Sequence, residues 1–210
     1  EMLQRESELG NVEAISKLAA CYEEGRGTNE DKELSTFYRK IAENTTNPTC
    51  LDQLSECIPS KNRDVLLSCL KAMSAFESVN ASYLAGIRLQ KENANDESFE
   101  YFQRASDGGI LNATYELAIC YKEGRGTEID TDKALALLRR LSERGYGEAS
   151  YHLGILHEEG IDTEPNLNEA IKMYKLGSEQ GSISSMQRLA EFYNEGKGVQ
   201  ENKEEAKRLY

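Results

Sequence analysis

Along residues 10–44 the apolar side chains of the first half fall at Ala14, Leu18, Ala19 and Tyr22, a spacing that keeps them on one face of a helix. Gly25-Arg26-Gly27 follows. A glycine there can take the left-handed conformation that closes a helix, and a second one lets the chain reverse. Asp31 or Asn29 then suits the N-cap of a second helix, whose inward residues are Leu34, Phe37, Tyr38 and Ile41. The pattern predicts a helix, a tight turn and a second helix.

The unit recurs. GILNATYELAICYKEGRGTEIDTDKALALLRRLSERG, from Gly109 to Gly145, is matched one period later by GYGEASYHLGILHEEGIDTEPNLNEAIKMYKLGSEQG, from Gly145 to Gly181. Ala113 pairs with Ala149, Leu117 with Leu153, Tyr121 with His157, Gly124 with Gly160 and Ala134 with Ala170. The last stretch keeps Leu189, Ala190, Tyr193, Gly196, Gly198 and Ala206 in the same register. Residues 78–109 keep Ala81, Ala85, Gly86, Leu89, Phe99, Phe102 and Ala105, with a shorter loop over 92–96 that lacks the two glycines. Residues 45–77 preserve only the rhythm: Pro48 can open a short helix, Pro59-Ser60 interrupts, and 63–76 reads as a longer amphipathic helix.

A repeat of this length in a helical pattern means stacked helix pairs, each burying its apolar face against its neighbours rather than in one central core. The expected division is a single all-α solenoid of about six units: the end of a preceding unit at 1–9, then 10–44, a degenerate 45–77, 78–109, 110–145, 146–181 and a shortened 182–210. Leu3 to Gly10 match the register of Leu138 to Gly145, and the chain stops within a unit, so it reads as part of a longer protein.

These residues carry a resemblance. Leu18-Ala19-Tyr22-Gly25-Gly27, Leu117-Ala118-Tyr121-Gly124-Gly126, Leu153-Gly154-Gly160 and Leu189-Ala190-Tyr193-Gly196-Gly198 are similar to the signature of the Sel1-like repeat (SLR) family, relatives of the tetratricopeptide repeats. The resemblance implies a right-handed α-solenoid that serves as an adaptor or scaffold in multiprotein complexes, without catalytic residues of its own. His157 at the tyrosine position, Asp162 at the second glycine position and the weak 45–109 section depart from the pattern.

Composition narrows the partner. With 25 Lys and Arg against 37 Asp and Glu the net charge is -12. Nucleic acid and anionic membrane surfaces call for clustered cations, so a basic or neutral protein or peptide is the expected ligand. No apolar run approaches the roughly 18 residues that span a bilayer, and no signal-peptide core is present. The five cysteines form no closed framework; Cys21 and Cys120 share a repeat offset, and Cys50 and Cys57 share a helical face. Reduced core thiols and a cytoplasmic location are expected, with the ER lumen or secretion as the alternative if a signal peptide lies upstream. The sequons at Asn44, Asn80 and Asn112 would matter only in that alternative.

The first helix of each pair should line the inner surface of the stack. Positions opposite the core then fall near offsets 3, 6, 10 and 13 from each opening glycine. They are Asn80, Tyr83, Ile87 and Gln90; Asn112, Tyr115, Ile119 and Lys122; and Glu148, Tyr151, Ile155 and Glu158. Three successive units carry a Tyr and an Ile there, whereas the first unit has Glu13, Ser16, Ala20 and Glu23 and the last has Ser184, Gln187, Glu191 and Asn194. Such a line suits a peptide or amphipathic helix of a partner. The competing view is that these residues only widen the packing between first helices.

No catalytic or cofactor site is expected. His152 and His157 are five positions apart, about 140° around a helix, and cannot share a metal as an i, i+4 pair does. Gly124-Arg125-Gly126-Thr127 has no Lys-Ser/Thr after it and no strand before it, so its glycines are turn residues. Glu23-Glu24 and Glu158-Glu159 read as solvated charges that favour a basic ligand. The expected function is a non-enzymatic protein-binding scaffold. A spacer in a larger, catalytic protein is the alternative.

Overall fold

A computed structural model of the chain describes residues 2–55, 58, 63–160 and 164–210. Cys57, the Pro59-Ser60 interruption and Asp162 lie outside the described residues. The protein is all-α, with thirteen helices among the described residues packed in sequential pairs, as in a repeat solenoid of about six units. No helix among them is long and apolar enough to cross a membrane.

The chain divides into two compact units, Glu1–Ala113 with Arg125–Thr127, and Thr114–Gly124 with Glu128–Tyr210. The first contains α1 (Met2–Glu8), α2 (Val12–Glu24), α3 (Lys32–Glu43), α4 (Pro48–Ser55), α5 (Arg63–Ser74), α6 (Val79–Lys91), α7 (Asn95–Asp107) and the opening of α8 (Leu111–Glu123). The second contains the rest of α8, then α9 (Thr131–Glu143), α10 (Gly147–Glu159), α11 (Leu167–Glu179), α12 (Ile183–Glu195) and α13 (Lys203–Leu209).

In the first unit α2 pairs with α3 and α6 with α7, while α5 packs on α1, α4 and α6. Ala14, Leu18 and Ala19 are buried together with Leu34, Phe37, Tyr38 and Ile41, and Tyr22 stacks on Tyr38 with ring centroids 5.7 Å apart. The degenerate section contributes Leu51, Cys69, Leu70, Ala72 and Met73 to the same core. It has lost the signature yet keeps the apolar face that packing requires.

In four units the turn joining the two helices follows one hydrogen-bond scheme. The N–H of an Asp or Asn donates to the carbonyl of the residue at the tyrosine position: Asp31 to Tyr22 at 2.7 Å, Asp130 to Tyr121 at 2.9 Å, Asn166 to His157 at 2.8 Å and Asn202 to Tyr193 at 2.8 Å. Its side chain accepts from the N–H three residues on, Leu34, Lys133, Glu169 and Glu205 in turn, capping the second helix. His157 replaces the tyrosine without disturbing the scheme, because the carbonyl takes part and the side chain does not.

In two of the turns the second glycine lies where the loop tip meets a neighbouring helix. At φ +69°, Gly126 lies so close to Asn95 and Asp96 that a Cβ would sit 2.6 Å from the Asn95 carbonyl carbon. Gly198, at φ +68°, lies over Ile171, whose Cδ1 would be 2.8 Å from an added Cβ. Gly126 and Gly198 therefore serve close packing as well as reversal of the chain, whereas nothing lies within 4 Å of a Cβ added at Gly27.

Candidate functional site: the cleft between α10 and α12

In the second unit α10 packs on α9, α11 and α12, and a cleft of about 460 Å³ opens between α10 and α12. Tyr151, Ile155, Glu158 and Glu159 line it from α10, and Ser184, Gln187, Arg188 and Glu191 from α12. Tyr151 and Ile155 are half-buried, packed from below on the core of Ala170, Ile171, Tyr174, Leu189 and Phe192. Each is thus anchored on one side and open to the cleft on the other.

The twelve positions singled out along the sequence meet different surroundings. Asn80, Tyr83, Ile87 and Gln90 are half-buried on α6, where the Tyr83 ring lies 6.3 Å from that of Phe102 and the Asn80 N–H donates to Asp52 at 3.1 Å. On α8, Asn112 is exposed, Tyr115 and Lys122 are half-buried and Ile119 is only 6% exposed. Tyr115 shares a 2.9 Å hydrogen bond with Nε2 of His152 and lies 5.4 Å from the Tyr146 ring. Burial pushes its phenol well above the usual range, with Glu148 and Glu116 adding to the shift. Glu148 accepts a 2.7 Å bond from Ser182 Oγ, which caps α12, so it holds two first helices together. Tyr151, Ile155 and Glu158 are the ones gathered in the cleft.

Glu158 is the most constrained of them. Its side chain, 12% exposed, accepts from Tyr174 Oη at 2.9 Å, from Arg188 Nη2 and Nε at 2.5 and 3.1 Å, and from Lys197 Nζ at 2.8 Å. Burial alone would raise its pKa, but the hydrogen bonds from Arg188, Lys197 and Tyr174 outweigh it and hold the carboxyl below its ordinary value. Arg188 also donates from Nη1 to Glu191 at 2.7 Å and lies over the Phe192 ring. The carboxylate pins the guanidinium as a cationic strap across the cleft, and Lys197 stacks on the same ring.

Arg188, Lys197 and Tyr174 did not stand out in the sequence. One signal was available: Arg188 occupies the repeat offset of His152, and both reach back to a preceding first helix, His152 to Tyr115 and Arg188 to Glu158.

A model of the Sel1 repeat matches residues 12–42, 81–110, 111–146, 147–182 and 183–210, well over half of the chain. The chain belongs to the Sel1 repeat family. Among solved structures, a Sel1 repeat protein of Oxalobacter formigenes is similar at TM-score 0.66 and 20% identity, covering 96% of this chain and 84% of that one. A Sel1 repeat protein of Klebsiella pneumoniae is similar at TM-score 0.53 and 14% identity, covering 83% and 88%. An immunity protein of Pseudomonas aeruginosa is similar at TM-score 0.54 and 18% identity, covering 95% and 79%. No curated protein matches the chain. At these identities the likenesses concern the Sel1 repeat fold.

Proposed function

We propose that this Sel1 repeat chain is a non-enzymatic scaffold that holds a peptide or helix of a partner protein in the cleft between α10 and α12. The observation that carries the reading is the open, half-buried pair Tyr151 and Ile155 on the cleft floor, with the polar rim of Ser184, Gln187 and Glu191 facing them. Tyrosine grips with a large ring at low entropy cost, and an apolar floor with a polar rim is the make-up of a groove that takes one face of a helix. That an immunity protein shares the fold is in keeping with protein binding. Tyr83 and Ile87 on α6 offer a contact of the same kind within the first unit. The cytoplasm is the proposed compartment, on the strength of Cys69 and Cys120 lying in the core.

The test is selection of peptides from a random display library on the intact chain, followed by binding to Tyr151→Ala and Gln187→Trp. The first removes the floor and the second fills the cleft from an exposed position. Selected peptides should bind the parent and lose both variants, with the melting temperature of Gln187→Trp unchanged. Peptides indifferent to both substitutions would rule the cleft out.

A further inference from the structure

The charges around the cleft are unevenly spent. Four charged side chains line it: Glu158, Glu159, Glu191 and Arg188. Arg188 is taken by Glu158 and Glu191, and Lys197, the next cation, is taken by Glu158 as well. Glu159 is exposed and makes no ion pair among the described residues, while Glu191 engages Arg188 through Oε2 only. The cations nearest the cleft are neutralised from inside, and the acceptors left over point to a donor from outside. The net charge of -12 extends the same preference over the molecule.

We infer that the partner segment enters the cleft with a lysine or arginine side chain, its aliphatic stem on Tyr151 and Ile155 and its cationic head between Glu159 and Glu191. This rests on the reading of the cleft as a peptide groove. Lys and Arg bury their methylene stems along apolar surface while their heads stay among polar groups, and the Tyr151 ring adds a favourable face for a cation. An acidic segment would instead meet Glu159 and Glu191 with no unpaired cation among the described residues that line the cleft, since breaking Arg188 away leaves the largely covered Glu158 under-paired.

The probes are two synthetic amphipathic peptides of equal length, one of leucine and lysine and one of leucine and glutamate, measured by fluorescence anisotropy on the intact chain. Glu159→Gln/Glu191→Gln is compared with Glu128→Gln/Glu143→Gln, which removes the same charge from exposed positions outside the cleft. The lysine peptide should bind, weaken at least tenfold in the cleft pair and change less than twofold in the control pair. Equal weakening by the two pairs would show diffuse attraction and overturn the inference. A glutamate peptide that binds and is lost in Tyr151→Ala would overturn it while leaving the peptide groove intact. Binding of both peptides indifferent to Tyr151→Ala would overturn the inference and the groove together.

Discussion

The ring of Tyr174 occupies the space in which a side chain at Gly154 would stand: a Cβ there would lie 2.6 Å from Tyr174 Cδ1. Gly86 meets Phe102 in the same way, with Cδ1 2.7 Å from an added Cβ. In these two helix pairs, α6 with α7 and α10 with α11, a glycine on the first helix lets an aromatic ring of the second close onto the backbone. Alanine ordinarily gains about 1 kcal/mol over glycine within a helix. At Gly154 the overpacking cost of about 1–3 kcal/mol should win, because Tyr174 is fully buried and its hydroxyl is tied to Glu158. Gly154→Ala is therefore expected to lower the urea midpoint, and Tyr174→Leu in the same chain to recover part of the loss. A stabilised Gly154→Ala would show that the contact is loose.

The knot at Glu158 makes a pH prediction. The folded carboxyl titrates below the ordinary value of 4.5, so the unfolded chain takes up the proton first as the pH falls. The stabilisation is complete above about 4.5 and is lost as the pH drops through the folded pKa. Glu158→Gln keeps the shape and removes the charge, and losing hydrogen bonds to charged partners should cost about 2 kcal/mol near neutrality. Melting temperatures of parent and variant should differ at about pH 7 and converge towards about pH 3. A gap that stays constant across that range would show that the charge is not what stabilises the knot.

Much of the fold was legible because its determinants are local. Ala14, Leu18 and Ala19 state a buried helix face, Gly25 states a stop, and Asp31 states the next start, each within a few positions along the chain. The site was legible only by offset. Ile119 and Ile155 share one, yet Ile119 is buried whereas Ser184 and Gln187 leave Ile155 open to a cleft. Spacing within one helix fixes which way a residue points, and the size of side chains on the next helix decides whether anything covers it. The Glu158–Arg188 and Tyr115–His152 pairs were illegible for a related reason. Many polar residues sit about one repeat apart, and only the packed helices choose among them.

The caps offer a cleaner separation of local from tertiary effects. Asn166 accepts from the Glu169 N–H at 3.2 Å through its side chain and donates to the His157 carbonyl through its backbone. Substitution by alanine removes the first bond and spares the second. Asn166→Ala is expected to cost about 1 kcal/mol in chemical unfolding, and Asn166→Asp close to nothing, since aspartate caps equally well and its charge suits a helix start. An aspartate variant as damaged as the alanine one would mean that the side chain has a role other than capping.

His152 is a second group whose charge state the fold controls near neutral pH. Burial lowers its pKa from the ordinary 6.5, and Lys122 lowers it further, against opposing pulls from Glu148 and Glu123. Its Nε2 meets Tyr115 Oη, and its buried Nδ1 has no hydrogen-bond partner among the described residues, so a second proton would enter a site with nothing to receive it. Because the folded pKa lies below the unfolded one, the unfolded chain binds the proton first. The contribution of neutral His152 is whole above about 6.5 and declines as the pH falls towards the folded pKa. The His152 ring resonances should titrate below 6.5, and His152→Gln should lose less melting temperature than the parent between about pH 7 and 5.5. Tyr115→Phe separates the two causes: if burial dominates, the titration midpoint stays low without the tyrosine hydroxyl, and a return to the ordinary value would assign the shift to the hydrogen bond instead.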